Sequence, residues 1–359
     1  RRLTMKTVLI ASTSPYSGKS GIALSVLNAL AERGYDAGYF KPYGAMPVTI
    51  DGVRTDEDAY YINKTLAHPS PVDAVCPVVA TSDFISGVLA GTIGEQTHAV
   101  SEAFAACAQR RDVMVVEGPT DSFQGASAGI SVPQVAALLD AHVLLVSRPV
   151  DGPDLPDSVI CEAHRLEGML AGVVLNWVHE WQMDFVRNQT VPFIRGRGIP
   201  VFGVLPYEPV LSSVTVAEIV NALSGTVLSA EEHLDEAVES FMVGAMGQDK
   251  ALRFFRRKAR KAVITGGDRA DVQLAALETN TRCIILTGNM PPSSIVLARA
   301  EELGVPMLLV GSDTLTAVER MESLMGRTRL HDEAKVTRIR EMFDQAVDCD
   351  AFFSAIGLT

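Results

Sequence analysis

The sequence predicts an α/β protein built on parallel sheets, in two successive units. Three observations carry that expectation. Short, near-continuous apolar runs such as Val8 to Ala11, Ala37 to Phe40 and Val113 to Val116 end abruptly in polar or small residues. Stretches with apolar residues at helical spacing separate them, as in Ile22 to Leu30. The alternation restarts after Leu211 with a second, smaller set of strands and helices. Strands that are apolar on both faces belong to parallel sheets covered on both sides by helices. A chain of 359 residues exceeds what one core usually holds. The expected units are residues 5–210 and 211–359.

In chain order, the first unit reads as a strand at Val8–Ala11, a small-residue turn at Ser12–Ser17 and a helix from Ile22 to Leu30. A strand at Ala37–Lys41 follows, then a polar loop and a helix from Thr55 to Ala67, with Thr55 as its cap. The proline-containing segment Pro69–Pro77 reads as irregular. Then come a helix at Glu95–Arg110, a strand from Asp112 to Glu117, a small-residue loop at Gly125–Ser131 and a helix at Val132–Leu139. The unit closes with a strand at Ala141–Ser147, a helix at Leu155–Leu166, a strand at Gly172–Asn176, a helix at Glu180–Gly196 and a strand at Ile199–Leu205. In the second unit, Val214–Leu223 and Glu231–Gly244 read as connecting segments with helical content, and Arg253–Lys261 as a basic, solvated helix face. Strands at Ala262–Thr265, Cys283–Thr287 and Pro306–Val310 alternate with helices at Ala270–Glu278, Ser293–Leu303, Thr314–Met325 and His331–Ala346.

The first strand, loop and helix carry the strongest functional signal. Gly18-Lys19-Ser20 opens the helix directly after the small-residue turn, the arrangement of a phosphate-binding P-loop. Backbone N–H groups and the positive end of the helix dipole face an anion there, and Gly18 permits close approach. Lys19 would reach the β- and γ-phosphates, and the Ser20 hydroxyl would ligate Mg²⁺. The usual motif opens with a further glycine; here Ala11, Ser12 and Thr13 stand at the candidate positions. Ligands in open parallel sheets sit beyond the carboxyl ends of strands. That places Ser12–Ser20, Lys41, Glu117, Arg148 and Asn176 in one candidate region. Two strand- or loop-end carboxylates facing a serine hydroxyl suit octahedral Mg²⁺. Asp56, Glu57 and Asp58 also stand where a helix N-terminus favours acids.

Charge and composition narrow the function classes. The net charge of −12 argues against a general nucleic-acid binder. With 47% hydrophobic and 21% charged residues, the chain is globular. Five scattered cysteines without a CxxC pair suggest reduced thiols in a cytoplasmic protein, with neither a disulfide framework nor a zinc site. No apolar run approaches the roughly 20 residues that span a bilayer. Met5 suits a natural start behind the residues Arg1–Thr4.

On the segments STSPYSGKSGIALSVLNAL, FKPYG, VVEGPTD and GVVLN, the first unit resembles the dethiobiotin-synthetase-like P-loop family. The segments VLSSVTVAEIVNAL and VITGGDRADVQLAALETN resemble a DRTGG domain. The pair in this order resembles the N-terminal regulatory half of long bacterial phosphotransacetylases. The resemblance implies a nucleotide site formed by Ser17, Gly18, Lys19, Ser20 and Gly21, with Asn176 near the base. It implies Mg²⁺ at Ser20, Asp58 and Glu117, Lys19 and Lys41 as catalytic lysines with Lys41 on the substrate side, and ATP or another nucleotide as cofactor. It implies no acetyl transfer by this chain, because the catalytic half lies beyond the resemblance. Gly266, Gly267, Asp268 and Arg269 form a strand-to-helix turn that is either a ligand or interface element or purely structural, with Asp268 capping the helix and Arg269 pairing locally.

Three functions follow as expectations. The first is a nucleotide-binding regulatory protein of acetyl-phosphate or acetyl-CoA metabolism, with a small metabolite effector or a pathway enzyme as partner. The second is an ATP-dependent ligase in which Lys41 and the loop Gly125–Ser131 hold a substrate. The third is an oligomerisation module with a degenerate P-loop. Self-association is expected in each, since regulatory α/β domains commonly pair symmetrically.

Overall fold

The computed structural model describes residues 5–149, 156–325 and 332–358. They form two compact units. The first takes the chain up to Tyr207 together with the C-terminal helices Glu333–Ala346 and Cys349–Ala355; the second begins at Glu208 and ends after the helix Thr314–Met325.

The first unit is organised by a six-stranded parallel sheet. Its strands are β1 (Lys6–Ser12), β2 (Ala37–Phe40), β3 (Val113–Glu117), β4 (His142–Ser147), β5 (Leu170–Val178) and β6 (Val201–Pro206), in the order β2-β3-β1-β4-β5-β6. Val8, Leu9, Ile10, Val115, Val116, Leu144 and Leu145 are completely buried, as strands covered on both faces require. Ile10 lies opposite Glu117 on β3, and Ser12 opposite Val146 on β4, so the three strand ends are level. The chain leaves β1 for β2 on one side and crosses from β3 to β4 on the other. The carboxyl end of β1 is therefore a topological switch point, where such sheets bind ligands. Helix α1 (Lys19–Glu32) starts there.

The second unit holds a five-stranded sheet. Strands β7 (Thr226–Val227), β8 (Ser240–Val243), β9 (Lys261–Gly266), β10 (Thr281–Thr287) and β11 (Met307–Leu309) take the order β7-β11-β10-β9-β8, parallel except for β7. Among the described residues no helix is long and apolar enough to cross a membrane.

Several elements differ from the sequence reading for identifiable reasons. The polar loop after β2 contains a hairpin, Pro47–Ile50 with Val53–Asp56. Asp51 and Gly52 both take positive φ at its turn, the conformation that Asp-Gly favours in two-residue hairpins. Thr55 is consequently a strand residue, and the helix Glu57–Thr65 is capped by Asp56, whose carboxylate accepts the Ala59 N–H. The helix expected at Glu95–Arg110 is shorter, Thr97–Cys107, and the segment around Pro71 includes a one-turn helix, Val72–Val75. Glu231–Gly244 is a single 3₁₀ turn followed by the strands Ala237–Val238 and β8. The helix expected at Leu155–Leu166 is found at Asp157–Arg165, and the last expected helix at Glu333–Ala346; Leu155 and His331 lie outside the described residues. The expected second unit extends to residue 359, but this last helix packs in the first. Ile339, Met342 and Phe343 are buried, Val347 bridges Gly203 on β6, and Phe352 packs on Phe202.

The basic run also divides. Arg256, Arg257 and Lys258 are exposed, but Lys261 opens β9 and is fully buried, donating from Nζ to Thr279 Oγ1 at 2.9 Å and to the Asn280 carbonyl at 3.0 Å. Burial pushes its ammonium from the ordinary 10.5 down to about 8. Between those values the unfolded chain binds more protons than the folded one, so this lysine makes stability rise with pH. Urea unfolding of wild type and Lys261→Met across pH 7 to 10.5 is expected to show the difference moving in favour of wild type above pH 8, and staying flat below it.

Candidate functional site

The phosphate loop is held from beneath. Gly18 caps α1 with φ +84°, and a Cβ there would lie 2.4 Å from Asn176 Nδ2, so both conformation and space demand glycine. Asn176, on β5, donates from that Nδ2 to the Ser17 carbonyl at 2.9 Å. Ser17 Oγ in turn donates to the Ser14 carbonyl at 2.6 Å. Thr13, the last of the three candidates for the missing glycine, has no positive φ; that conformation falls on Tyr16. The Thr13 N–H donates to the Val146 carbonyl at 3.2 Å and its Oγ1 to Ser147 Oγ at 3.1 Å. The loop is thus anchored on β4 where a glycine usually stands. Lys19 is buried, with Nζ 2.8 Å from Ser12 Oγ and 2.9 Å from the Thr120 carbonyl. Burial lowers its ammonium to about 8, against the opposing pull of Glu117.

Beside the loop lies a buried cluster of charge. Ser20 Oγ is 2.9 Å from Glu117 Oε1 and 3.0 Å from Asp58 Oδ2. Lys41 Nζ is 2.9 Å from Asp56 Oδ1, 3.2 Å from Glu117 Oε1 and 3.8 Å from Asp58 Oδ2. Tyr39 Oη donates to Glu117 Oε2 at 2.7 Å, and Asp56 Oδ2 accepts the Met46 N–H at 2.8 Å. Burial pulls the Lys41 ammonium down, but Glu117, then Asp56 and Asp58, outweigh it and hold it well above its ordinary range. Three carboxylates around one ammonium leave an excess of negative charge. Burial, together with Glu117 and Asp56 and against Lys41, raises the Asp58 carboxyl to about 7.

This donor set fits Mg²⁺. Ser20 Oγ, Asp58 Oδ2 and Glu117 Oε1 are hard oxygen donors that already converge, and a cation would offset their surplus charge. Among the described residues no three His, Cys, Asp or Glu side chains are arranged to hold an ion by themselves. Phosphate oxygens and water would complete the shell, as Mg²⁺ usually requires.

The structure brings Ser17, Gly18, Lys19, Ser20, Lys41, Asp58, Glu117 and Asn176 together at the switch point. Gly21 has a different setting: a Cβ there would lie 2.0 Å from Ile339 Cδ1, so it is where α1 meets the C-terminal helix. Gly266, Gly267, Asp268 and Arg269 lie in the second unit. A Cβ on Gly267 would lie 1.6 Å from the Met290 carbonyl oxygen, and Gln273 Nε2 donates to the carbonyls of Gly266 and Gly267. Arg269 pairs with Asp271 at 3.1 Å and donates to the Met246 carbonyl at 2.8 Å. Asp268 is exposed, and the helix Ala270–Leu277 begins without a side-chain cap, so the capping expected of Asp268 is not made. Ser12 falls in the expected region, Asp56 pairs with Lys41 rather than with Ser20, and Tyr39 and Thr120 are site residues outside the sequence-based set. For Tyr39 a signal exists: it precedes Lys41 by two residues, and alternate strand residues share a face. Tyr39→Phe leaves a buried Glu117 oxygen without its donor, and is expected to cost about 1–3 kcal/mol in urea unfolding.

The family described as AAA domain matches residues 6–215, and the DRTGG domain matches residues 218–324. Over 96% of its length the chain is 25% identical to the phosphate acetyltransferase of Pseudomonas aeruginosa, covering 51% of that protein. To the phosphate acetyltransferase of Deinococcus radiodurans it is 26% identical over 96% of the chain and 50% of that protein. It therefore spans about half the length of the curated relatives it matches. Cobyrinic acid a,c-diamide synthase from Mycobacterium smegmatis, solved with bound ADP and magnesium, has a TM-score of 0.37 and 14% identity over 57% of this chain and 87% of that one. The chain belongs to the AAA-domain family, its P-loop unit joined to a DRTGG domain, and is homologous to the N-terminal half of phosphate acetyltransferases.

Proposed function

We propose that this protein is a nucleotide-binding regulatory protein, binding ATP with Mg²⁺ at the phosphate loop and acting in acetyl-phosphate or acetyl-CoA metabolism. The observation that carries the reading is the convergence of Gly18, Lys19 and Ser20 with Asp58 and Glu117 at the end of β1. The first-turn amides of α1 face an anion with the helix dipole behind them. Lys19 would exchange two neutral acceptors for phosphate oxygens, a charge-assisted contact. Ser20, Asp58 and Glu117 would hold Mg²⁺, which when bound neutralises phosphate charge. Asn176 occupies the Ser17 carbonyl, removing an acceptor from the loop's edge.

The buried position of Lys41 favours regulation over ligation. Its ammonium is committed to Asp56, Glu117 and Asp58, and its side chain is only 8% exposed. The link to acetyl metabolism is supported by the homology to phosphate acetyltransferases, and the DRTGG unit is the part suited to a metabolite effector or to self-association.

Calorimetric titration of ATP, ADP and GTP with Mg²⁺ tests the reading. Saturable binding is expected in wild type, at least about tenfold weaker in Lys19→Ala, because a charge-assisted contact is lost. Glu117→Gln is expected to reduce the dependence on Mg²⁺. Absence of binding in wild type would overturn the nucleotide reading.

A further inference from the structure

A groove at the far edge of the first sheet carries chemistry that the phosphate loop does not use. It has a volume of about 550 Å³, within the range of small-molecule sites. One wall is the helical stretch 186–195, one is edge strand β6, and one is the helix Glu333–Ala346. Arg187, Arg195 and Arg338 line the groove together with the apolar Val191, Val204 and Met342. Three guanidinium groups on one groove run against the −12 charge of the chain.

The local structure explains how they gather. Arg187, Val191 and Arg195 are spaced i, i+4 and i+8, a series that drifts around a helix of roughly 3.6 residues per turn. Here Val186–Thr190 forms a π-turn, whose wider turn counters that drift. It lies just before Pro192, which has no N–H to donate. Arg195 is steadied by donating to the Val201 carbonyl at 2.7 Å. Arg338 shares its charge with Glu341 at 3.3 Å, whereas Arg187 and Arg195 enter no ion pair among the described residues.

We propose that this groove binds a small organic phosphate: a doubly charged anion joined to an apolar body. Guanidinium groups match phosphate oxygens bidentately, and the apolar lining takes the remainder of the ligand. The C-terminal helix sets Ile339 against Gly21, the residue after Ser20, while Arg338 and Met342 line the groove. A ligand there acts on the phosphate loop through that helix, as an effector. The binding itself does not depend on the nucleotide reading.

The test is calorimetric titration of 1-naphthyl phosphate into the full chain. Saturable binding is expected in wild type and equally in Lys19→Ala. It is expected to weaken at least about tenfold in Arg187→Glu and in Arg338→Ala, with unchanged melting temperatures, and to be at least about tenfold weaker for 1-naphthol and for inorganic phosphate. Loss of binding in Lys19→Ala would move the anion to the phosphate loop and overturn the proposal. So would full affinity in Arg187→Glu, equal affinity for inorganic phosphate, displacement by a Glu-rich peptide at lower concentration, or no saturable binding at millimolar ligand. Hydrogen exchange at residues 20–24 is expected to slow on adding 1-naphthyl phosphate; unchanged exchange would overturn the effector role.

Discussion

The ion cluster of Lys41, Asp56, Asp58 and Glu117 holds the working end of the first sheet together. It joins β2, β3, the hairpin after β2 and the start of helix Glu57–Thr65, and through Ser20 it reaches α1. Removing one member of a buried pair typically costs about 3–5 kcal/mol, because a charge is left uncompensated. The hydrogen bonds from Tyr39, Met46 and Ala59 show how the surplus negative charge is tolerated: most carboxylate oxygens there have a donor. The same surplus leaves the cluster electrostatically suited to a cation.

The loop beside it is built on the same logic. Its glycine is required at Gly18, where positive φ and the closeness of Asn176 coincide, and not at the motif's usual first position, where Thr13 is tied to β4. Lys19 is buried against two neutral acceptors, Ser12 Oγ and the Thr120 carbonyl. The C-terminal helix closes against α1 at Gly21, so the start of α1 is packed between the charge cluster and an element from the far end of the chain.

Most of the fold was legible in the residues. Buried parallel strands are nearly continuous apolar runs, and β1, β3, β4 and β5 each carry one. The phosphate loop was equally legible, because strand, turn and Gly-Lys-Ser are contiguous. The errors fall where local signals are weak or compete. The Asp51-Gly52 hairpin lies inside a polar stretch without a clear period, and because its second strand takes in Thr55 the helix is capped by Asp56. The strands in Glu231–Gly244 are only two and four residues long, too short for a period to show, so their identity comes from their partners: Val214–Thr215 for Ala237–Val238, and β9 for β8.

By itself the sequence determined the α/β class, the alternation of the main strands and helices, the position of the phosphate loop and the list of strand-end carboxylates and lysines. Those follow from periodicity and from chemistry that is contiguous in the chain. Only the tertiary structure decided which distant residues meet: Tyr39 with Glu117, Lys41 with Asp56, Asn176 with Ser17, and Ile339 with Gly21. It also decided that the C-terminal helices belong to the first unit. The reason is physical: an amphipathic helix carries a buried face in its sequence, but the partner for that face is chosen by shape and burial across the folded chain.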